Sequence, residues 1–233
     1  MHGRIVAVNV ARDLAHVAAG FQGLSGIGKS PAEGRVGLHG NTVAGDRVYD
    51  VRHHGGYDQA VYAYAREDAS WWSGQLGREV TPGMFGENLS TEGIDVTGAV
   101  IGERWVTGSA VLEVSCPRIP CQTFAEVIGS PRWIRRFTEQ AWPGAYLRIV
   151  VEGDVGAGDT VSVIERPEHG VTIGEVFRAL TGDRALAPRL LEAPELPVKI
   201  RDKAGKWLAG TPDDDPPLDE DLLDKDLLDE DLT

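Results

Sequence analysis

The sequence predicts a mainly β, α+β fold: a barrel-like domain with inserted helices, followed by a small appendage of three short helices. Three observations predict it. Short runs rich in Val and Ile, each bounded by Gly, Asp or Pro, recur through the first two-thirds of the chain, as strands do. Helix-like stretches interrupt these runs without following each of them, so the pattern is not a βαβ repeat. Beyond residue 166 the strand-like runs stop and helix-like ones replace them.

In chain order, the strand candidates are Arg4–Val10, Gln59–Tyr64, Arg104–Thr107, Ala110–Ser115, Tyr146–Val151 and Thr160–Ile164. A helix is expected over Arg66–Leu76, where Ala69, Trp72 and Leu76 share a face; Trp71 and Trp72 read as packing residues. A second is expected over Pro131–Gln140, which opens with Pro where a first turn tolerates it and carries Trp133, Ile134 and Phe137. Thr172–Leu180, Ala185–Leu191 and Val198–Leu208 read as the three terminal helices, broken by Gly182-Asp183 and Pro194. The organisation read from this is a barrel domain over 1–165, a helical region over 166–210 that forms a bundle or packs on the barrel, and a tail over 211–233.

The chain has 233 residues, 42% of them hydrophobic, enough for a core. Its net charge of -13 is uneven: residues 211–233 hold eleven acidic side chains and one Lys, a balance of -10. Leu218-Asp219-Glu220-Asp221-Leu222 recurs with small changes to residue 232, a five-residue period that suits neither helix nor strand. This tail reads as a solvated, disordered segment, or as a segment whose paired leucines dock on a basic partner. Neither part offers the basic surface of a nucleic-acid binder. No apolar stretch approaches the roughly 20 residues needed to span a bilayer, and the N-terminus lacks a signal peptide's apolar run, so a cytoplasmic protein is expected. Two cysteines are too few for a disulfide scaffold.

Gly23-Leu24-Ser25-Gly26-Ile27-Gly28-Lys29-Ser30 matches the P-loop pattern letter for letter. A nucleotide site is rejected. Leu14–Gly20 upstream ends poorly as a strand, and Pro31 and Gly34 leave no room for a helix downstream. Lys29 can still serve an anion, since glycine-rich amides and an ammonium suit one; otherwise it belongs to a surface loop.

The chemistry-bearing segment is Cys116-Pro117-Arg118-Ile119-Pro120-Cys121. Two prolines stiffen the turn, and a stiff turn presents a side chain at a defined angle. A thiol beside Arg118 is favoured as thiolate, a soft ligand for transition metals. The alternative is that both cysteines are small buried hydrophobes. A zinc site lacks a second cysteine pair, and a disulfide between the two is unexpected in a reducing compartment.

That segment resembles the PR-x-PC segment of MOSC-domain proteins of the YiiM type. So, in order, do Gly45-Asp46-Arg47, Asp50, His54-Gly55-Gly56 with Asp58, Ala60–Tyr64, Pro82–Leu89, Ile101–Trp105 and Pro143–Arg148, across about residues 5–165. The helical end, from His169 through Leu208, is similar to the three-helix appendage of that subfamily. The resemblance implies a MOSC-type β-barrel and a molybdenum–pterin cofactor with Cys121 as the metal ligand. It implies reduction of N-hydroxylated compounds, N-hydroxylaminopurines included, by electrons from an external reductase, because no flavin, haem or iron–sulfur motif is visible. Cofactor contacts fall on Lys29, Arg47, Asn88, Arg118 and Tyr146. Cys116 stands where close relatives often carry Gln, which leaves room for a redox or persulfide role.

Elementary chemistry suits these positions. Lys29 and Arg47 can give charge-assisted hydrogen bonds to a phosphate, and Asn88 can donate to and accept from pterin edge atoms. Against this, the two cations can be ordinary surface residues and Asn88 a turn residue. His54 reads as a proton donor near neutral pH, or as a structural His bonded to Asp50 or Asp58. Glu87 is a second candidate acid. Two other functions fit the sequence: a sulfur carrier with a Cys121 persulfide, and a non-catalytic binding module that recruits a partner through the tail. A homodimer is compatible with all three.

Overall fold

The structure, a computed structural model, describes residues 2–50 and 55–211. His54 and the tail from 212 onward lie outside the described residues. The elements run β1 (His2–Val10), β2 (Ala15–Phe21), β3 (Leu24–Ser25), β4 (Ser30–Pro31), β5 (Arg35–His39), β6 (Thr42–Val43), β7 (Val61–Ala65), α1 (Arg66–Leu76), β8 (Leu89–Glu92), β9 (Arg104–Thr107) and β10 (Ala110–Pro117). Then come α2 (Gln122–Ile128), α3 (Trp133–Gln140), β11 (Ala145–Val151), β12 (Gly153–Gly156), β13 (Thr160–Glu165), α4 (Ile173–Leu180), α5 (Ala187–Leu190) and α6 (Val198–Leu208).

Seven strands close into a barrel in the order β1, β13, β9, β10, β11, β7, β8, with β8 returning to β1. Every neighbouring pair is antiparallel except β7 and β8, where Ala63 faces Leu89 and Ala65 faces Thr91. A parallel pair needs a long crossover, and α1 supplies part of it. The fold is therefore the mainly β barrel with inserted helices that the sequence predicts.

Two cores result. Ile5, Val8, Val61, Leu89, Trp105, Leu112 and Leu147 fill the barrel, and the same apolar cluster runs on through Val171, Ile173, Val176, Leu190 and Leu196. The terminal helices thus pack on the barrel and do not form a separate bundle. Thr172 starts α4 with a capping box to Glu175. The second core is aromatic. Tyr64, Trp72, Phe85, Phe124, Trp133, Phe137 and Phe177 pack between the barrel and helices α1 to α4.

Three expectations need correction. Ala15–Phe21 is a strand after all; it pairs with β3 across a turn at Gln22 and Gly23, both of positive φ. Only Val17 of that strand is buried, so it carries no alternating pattern to read. Helix α2 was not anticipated, because seven residues after a Pro-Cys turn give too short a period. Helix α3 starts at Trp133 and not at Pro131, since Arg132 sits left-handed at φ 53 and holds Pro131 outside it. The P-loop look-alike is a pair of two-residue strands joined by a loop, with no helix after it. Among the described residues no helix is long and apolar enough to cross a membrane.

Candidate functional site

Strand β10 delivers the Pro-rich turn. Its last residues, Cys116 and Pro117, pair with Tyr146 and Ala145 of β11. The chain then turns through Arg118-Ile119-Pro120, and Cys121 becomes the extended residue that caps α2. The two thiols are free and differ in setting. Cys116 is buried, 4% exposed, and its Sγ donates toward the Asp58 carbonyl at 3.9 Å. Burial pushes its pKa up to about 12. Cys121 is half-buried and lines a cavity of about 150 Å³.

The cavity has four walls. The β2–β3 ribbon gives Ala19, Phe21 and Leu24; the loop 26–29 gives Lys29; the segment 46–50 gives Asp46, Arg47 and Tyr49; and the 3-10 turn before β7 gives Gln59, with Tyr62 from β7 itself. Cys121, Arg118, Asn88 and Tyr146 complete it. Glu126 of α2 fixes the ribbon by accepting from the Ala18 and Ala19 amides at 2.8 and 2.7 Å. Phe21 meets Tyr49 on the cavity wall at 5.8 Å. Two glycines permit the loops to meet: a Cβ at Gly26 would collide with the Arg47 carbonyl oxygen, and one at Gly83, where φ is 86°, would collide with that of Lys29.

Arg118 is the cation beneath this cavity. It is 5% exposed, lies over the Phe124 ring at 3.9 Å and the Tyr62 ring at 5.3 Å, and donates to the Phe85 carbonyl. Among the described residues it forms no salt bridge. Burial works against its charge, but the Tyr62 and Tyr146 hydroxyls and the Cys121 thiol more than offset this and hold its pKa above the ordinary value. Burial also lifts the Tyr146 hydroxyl to about 12.

Lys29 is different. It is buried and ion-paired to Asp46. Desolvation pulls its pKa down, and Asp46 opposes that. Asp46 also accepts from the Ala11 amide at 2.7 Å and from Asn88 Nδ2 at 2.8 Å. Asn88 in turn accepts from the Tyr62 amide at 3.1 Å and donates to the Asn9 carbonyl at 3.2 Å. Its amide is thus engaged within the protein although it lines the cavity.

Six of the residues singled out from the sequence therefore share one cavity: Lys29, Arg47, Asn88, Arg118, Cys121 and Tyr146. Arg47 is exposed there. Glu87 is placed elsewhere. Its carboxylate accepts from the Gly83 and Phe85 amides and the Ser90 hydroxyl at 2.7, 3.1 and 2.7 Å, in a site 2% exposed. Burial raises its pKa, and the Gly83 and Ser90 hydrogen bonds oppose that. It ties the loop 83–90 together. The sequence reading gave no role to Asp46, Gln59 or Tyr62; the motif Gly45-Asp46-Arg47 was the available signal for the first.

Residues 50–162 match the family described as the MOSC domain. The uncharacterized protein YflK of Bacillus subtilis is 33% identical over 149 residues, 64% of this chain and 67% of that protein. A Gibberella moniliformis protein named Reductase is 30% identical over 185 residues, and Escherichia coli YiiM is 35% identical over 101. These matches cover 78% and 42% of this chain but only 33% and 45% of those two proteins. The crystal structure of YiiM from Geobacillus stearothermophilus superposes with a TM-score of 0.72 at 26% identity, covering 88% of this chain and 99% of that one.

Proposed function

Because this chain belongs to the MOSC-domain family and is of the YiiM type, we propose that it is a molybdenum-cofactor-binding oxidoreductase that reduces N-hydroxylated compounds to amines. The observation that carries this reading is the pairing of a half-buried thiol, Cys121, with a buried guanidinium, Arg118, that has no carboxylate partner among the described residues. A buried unpaired cation is costly unless a ligand completes it.

The residues present fit the cofactor. Cys121 offers a soft thiolate ligand, suited to molybdenum. Arg118 and Arg47 are cations available to a phosphate-bearing pterin, with Lys29 beside them already paired to Asp46. When bound, the cofactor supplies two-electron chemistry that converts an N–OH group to N–H and water. The protein's part is to hold, orient and enclose. Phe21, Leu24 and Tyr49 give the cavity wall apolar surface, and the stiff turn fixes the Cys121 sulfur. Tyr146, neutral across the physiological range, keeps a proton available at its hydroxyl. An external reductase, in the same compartment, supplies the electrons. The name of the Gibberella relative supports the oxidoreductase class.

The test uses full-length protein purified from a host that makes the cofactor. Molybdenum near one atom per chain and reduction of an N-hydroxylated purine are expected. Cys121→Ser should lose both. Metal content unaffected by that substitution sinks the reading. A labile gain of one sulfur on Cys121 without bound pterin replaces it with the sulfur-carrier function.

A further inference from the structure

Asp46 is a nearly buried carboxylate of the cavity wall, and three chain segments converge on it. Its side chain is 6% exposed. One oxygen accepts from the Ala11 amide, and the other accepts from Asn88 Nδ2 and from Lys29 Nζ. Lys29, with a side chain 8% exposed, has Asp46 as its only ion-pair partner among the described residues. The nearby Glu87 carboxylate is committed to Gly83, Phe85 and Ser90. An ammonium has three N–H donors. One goes to Asp46, and Lys29 lines the cavity.

We propose that Asp46 is a positioning residue that keeps Lys29 a cation on the cavity wall, ready for a doubly charged oxyanion of the ligand, a phosphate or sulfate group. The oxyanion is the cofactor's phosphate on the reading above, but its binding is testable without cofactor. The reason is electrostatic. A buried ammonium without a counter-charge neutralises itself by losing its proton, since burial penalises only the charged form. Burial already lowers the Lys29 pKa, and Asp46 is the strongest influence that raises it. The other charged and titratable groups facing Lys29 or the same cavity are Glu87, Arg118, Arg47, Asp50, Cys121, Tyr62 and Tyr146. None of them is paired with Lys29. Without Asp46 the lysine would keep only Glu87, a weaker influence than Asp46, in favour of its charge, against desolvation, the largest influence, and the smaller opposing effect of the Arg118 charge.

The sign of the pH effect follows. In Asp46→Asn the Lys29 pKa falls further, so the ammonium persists at low pH and is lost as pH rises. Sulfate is a suitable probe because its charge is constant between about pH 6 and 9. Its affinity for the full chain, purified from a host unable to make the cofactor, is measured by calorimetry across that range. Wild-type affinity should be flat. Asp46→Asn should bind comparably at the acid end and lose about tenfold or more toward the alkaline end, a change of about 1.4 kcal/mol. The double variant Asp46→Asn with Lys29→Arg should be flat again, because a guanidinium stays charged. A loss in Asp46→Asn that is equal at every pH reduces Asp46 to a structural support and overturns the proposal. So does an affinity unchanged at every pH, or a wild type that binds no sulfate. Should the variant not fold, NMR titration of Lys29 in the wild-type chain decides: a lysine neutral by about pH 8 overturns the proposal, and one still charged there upholds it. Molybdenum content, measured separately, judges the cofactor reading.

Discussion

Cys116 and Cys121 are five residues apart on one stiff turn, yet they occupy opposite environments. Cys116 ends a strand, is sealed by β11 and the Asp58 backbone, and is held as a thiol by burial. Cys121 begins a helix and faces a cavity. Each also has its arginine. Arg148, near Cys116, is spent on Glu113 and Asp58 at 2.9 and 2.7 Å. Arg118, near Cys121, meets no carboxylate among the described residues. Thiol reactivity is a property of surroundings, and two identical side chains in one hexapeptide stand in opposite settings.

The largest effect that could break this contrast is chemical labelling. A thiol lifted to about 12 holds on the order of a thousandfold less thiolate at pH 8 than an ordinary cysteine, before steric protection is counted. Iodoacetamide should therefore modify native protein once, at Cys121, and reach Cys116 only in denaturant. Peptide mass spectrometry over time reads this directly. Comparable rates at the two sites would dissolve the distinction.

Substitution sharpens the contrast through stability. Cys116→Ser places a hydroxyl in a buried site where the Asp58 carbonyl lies at thiol distance, and should cost about 1–2 kcal/mol. Metal content should survive. Cys121→Ser should change stability by less than about 0.5 kcal/mol, because the half-buried site tolerates a hydroxyl, while metal is lost. Urea denaturation of cofactor-free protein checks both. Equal costs at the two positions would mean that Cys121 is also a packing residue.

Much of the barrel was legible because its strands alternate or bury in ways that leave a pattern. Arg104–Thr107, Arg66–Leu76 and Val198–Leu208 begin and end where the sequence places them. The β2–β3 ribbon was not legible, because it stands off the barrel with one buried side chain and earns its strand geometry from the positive φ of Gln22 and Gly23. The site residues were picked by ordered motifs, which say who gathers but not how they bond. Lys29 read as a free cation, for its partner lies 17 residues on. Asn88 read as a free amide, although its contacts reach back 26, 42 and 79 residues. Glu87 read as an acid because a carboxylate beside Asn88 in sequence need not face the same way. It points into its own loop, where backbone amides saturate it.

The smallest expected effect concerns the arginine on the open side. Arg118 is charged, buried and without a counter-ion among the described residues, and burial works against that charge. The Tyr62 and Tyr146 hydroxyls and the Cys121 thiol oppose that effect, as do its ring contacts with Phe124 and Tyr62 and its bond to the Phe85 carbonyl. Arg118→Met keeps the apolar stem and removes the charge. The cofactor-free chain should gain about 1 kcal/mol, a rise in Tm of about 2–4 °C for a domain of this size. The same substitution should lose the cofactor, so the loaded protein gains nothing. A matched pair of thermal scans, cofactor-free and loaded, reads the sign in each state. A Tm that falls in the cofactor-free chain would show that ring stacking and the Phe85 bond outweigh desolvation. Arg118 would then be a structural residue like Arg148, and the asymmetry between the two thiols would rest on exposure alone.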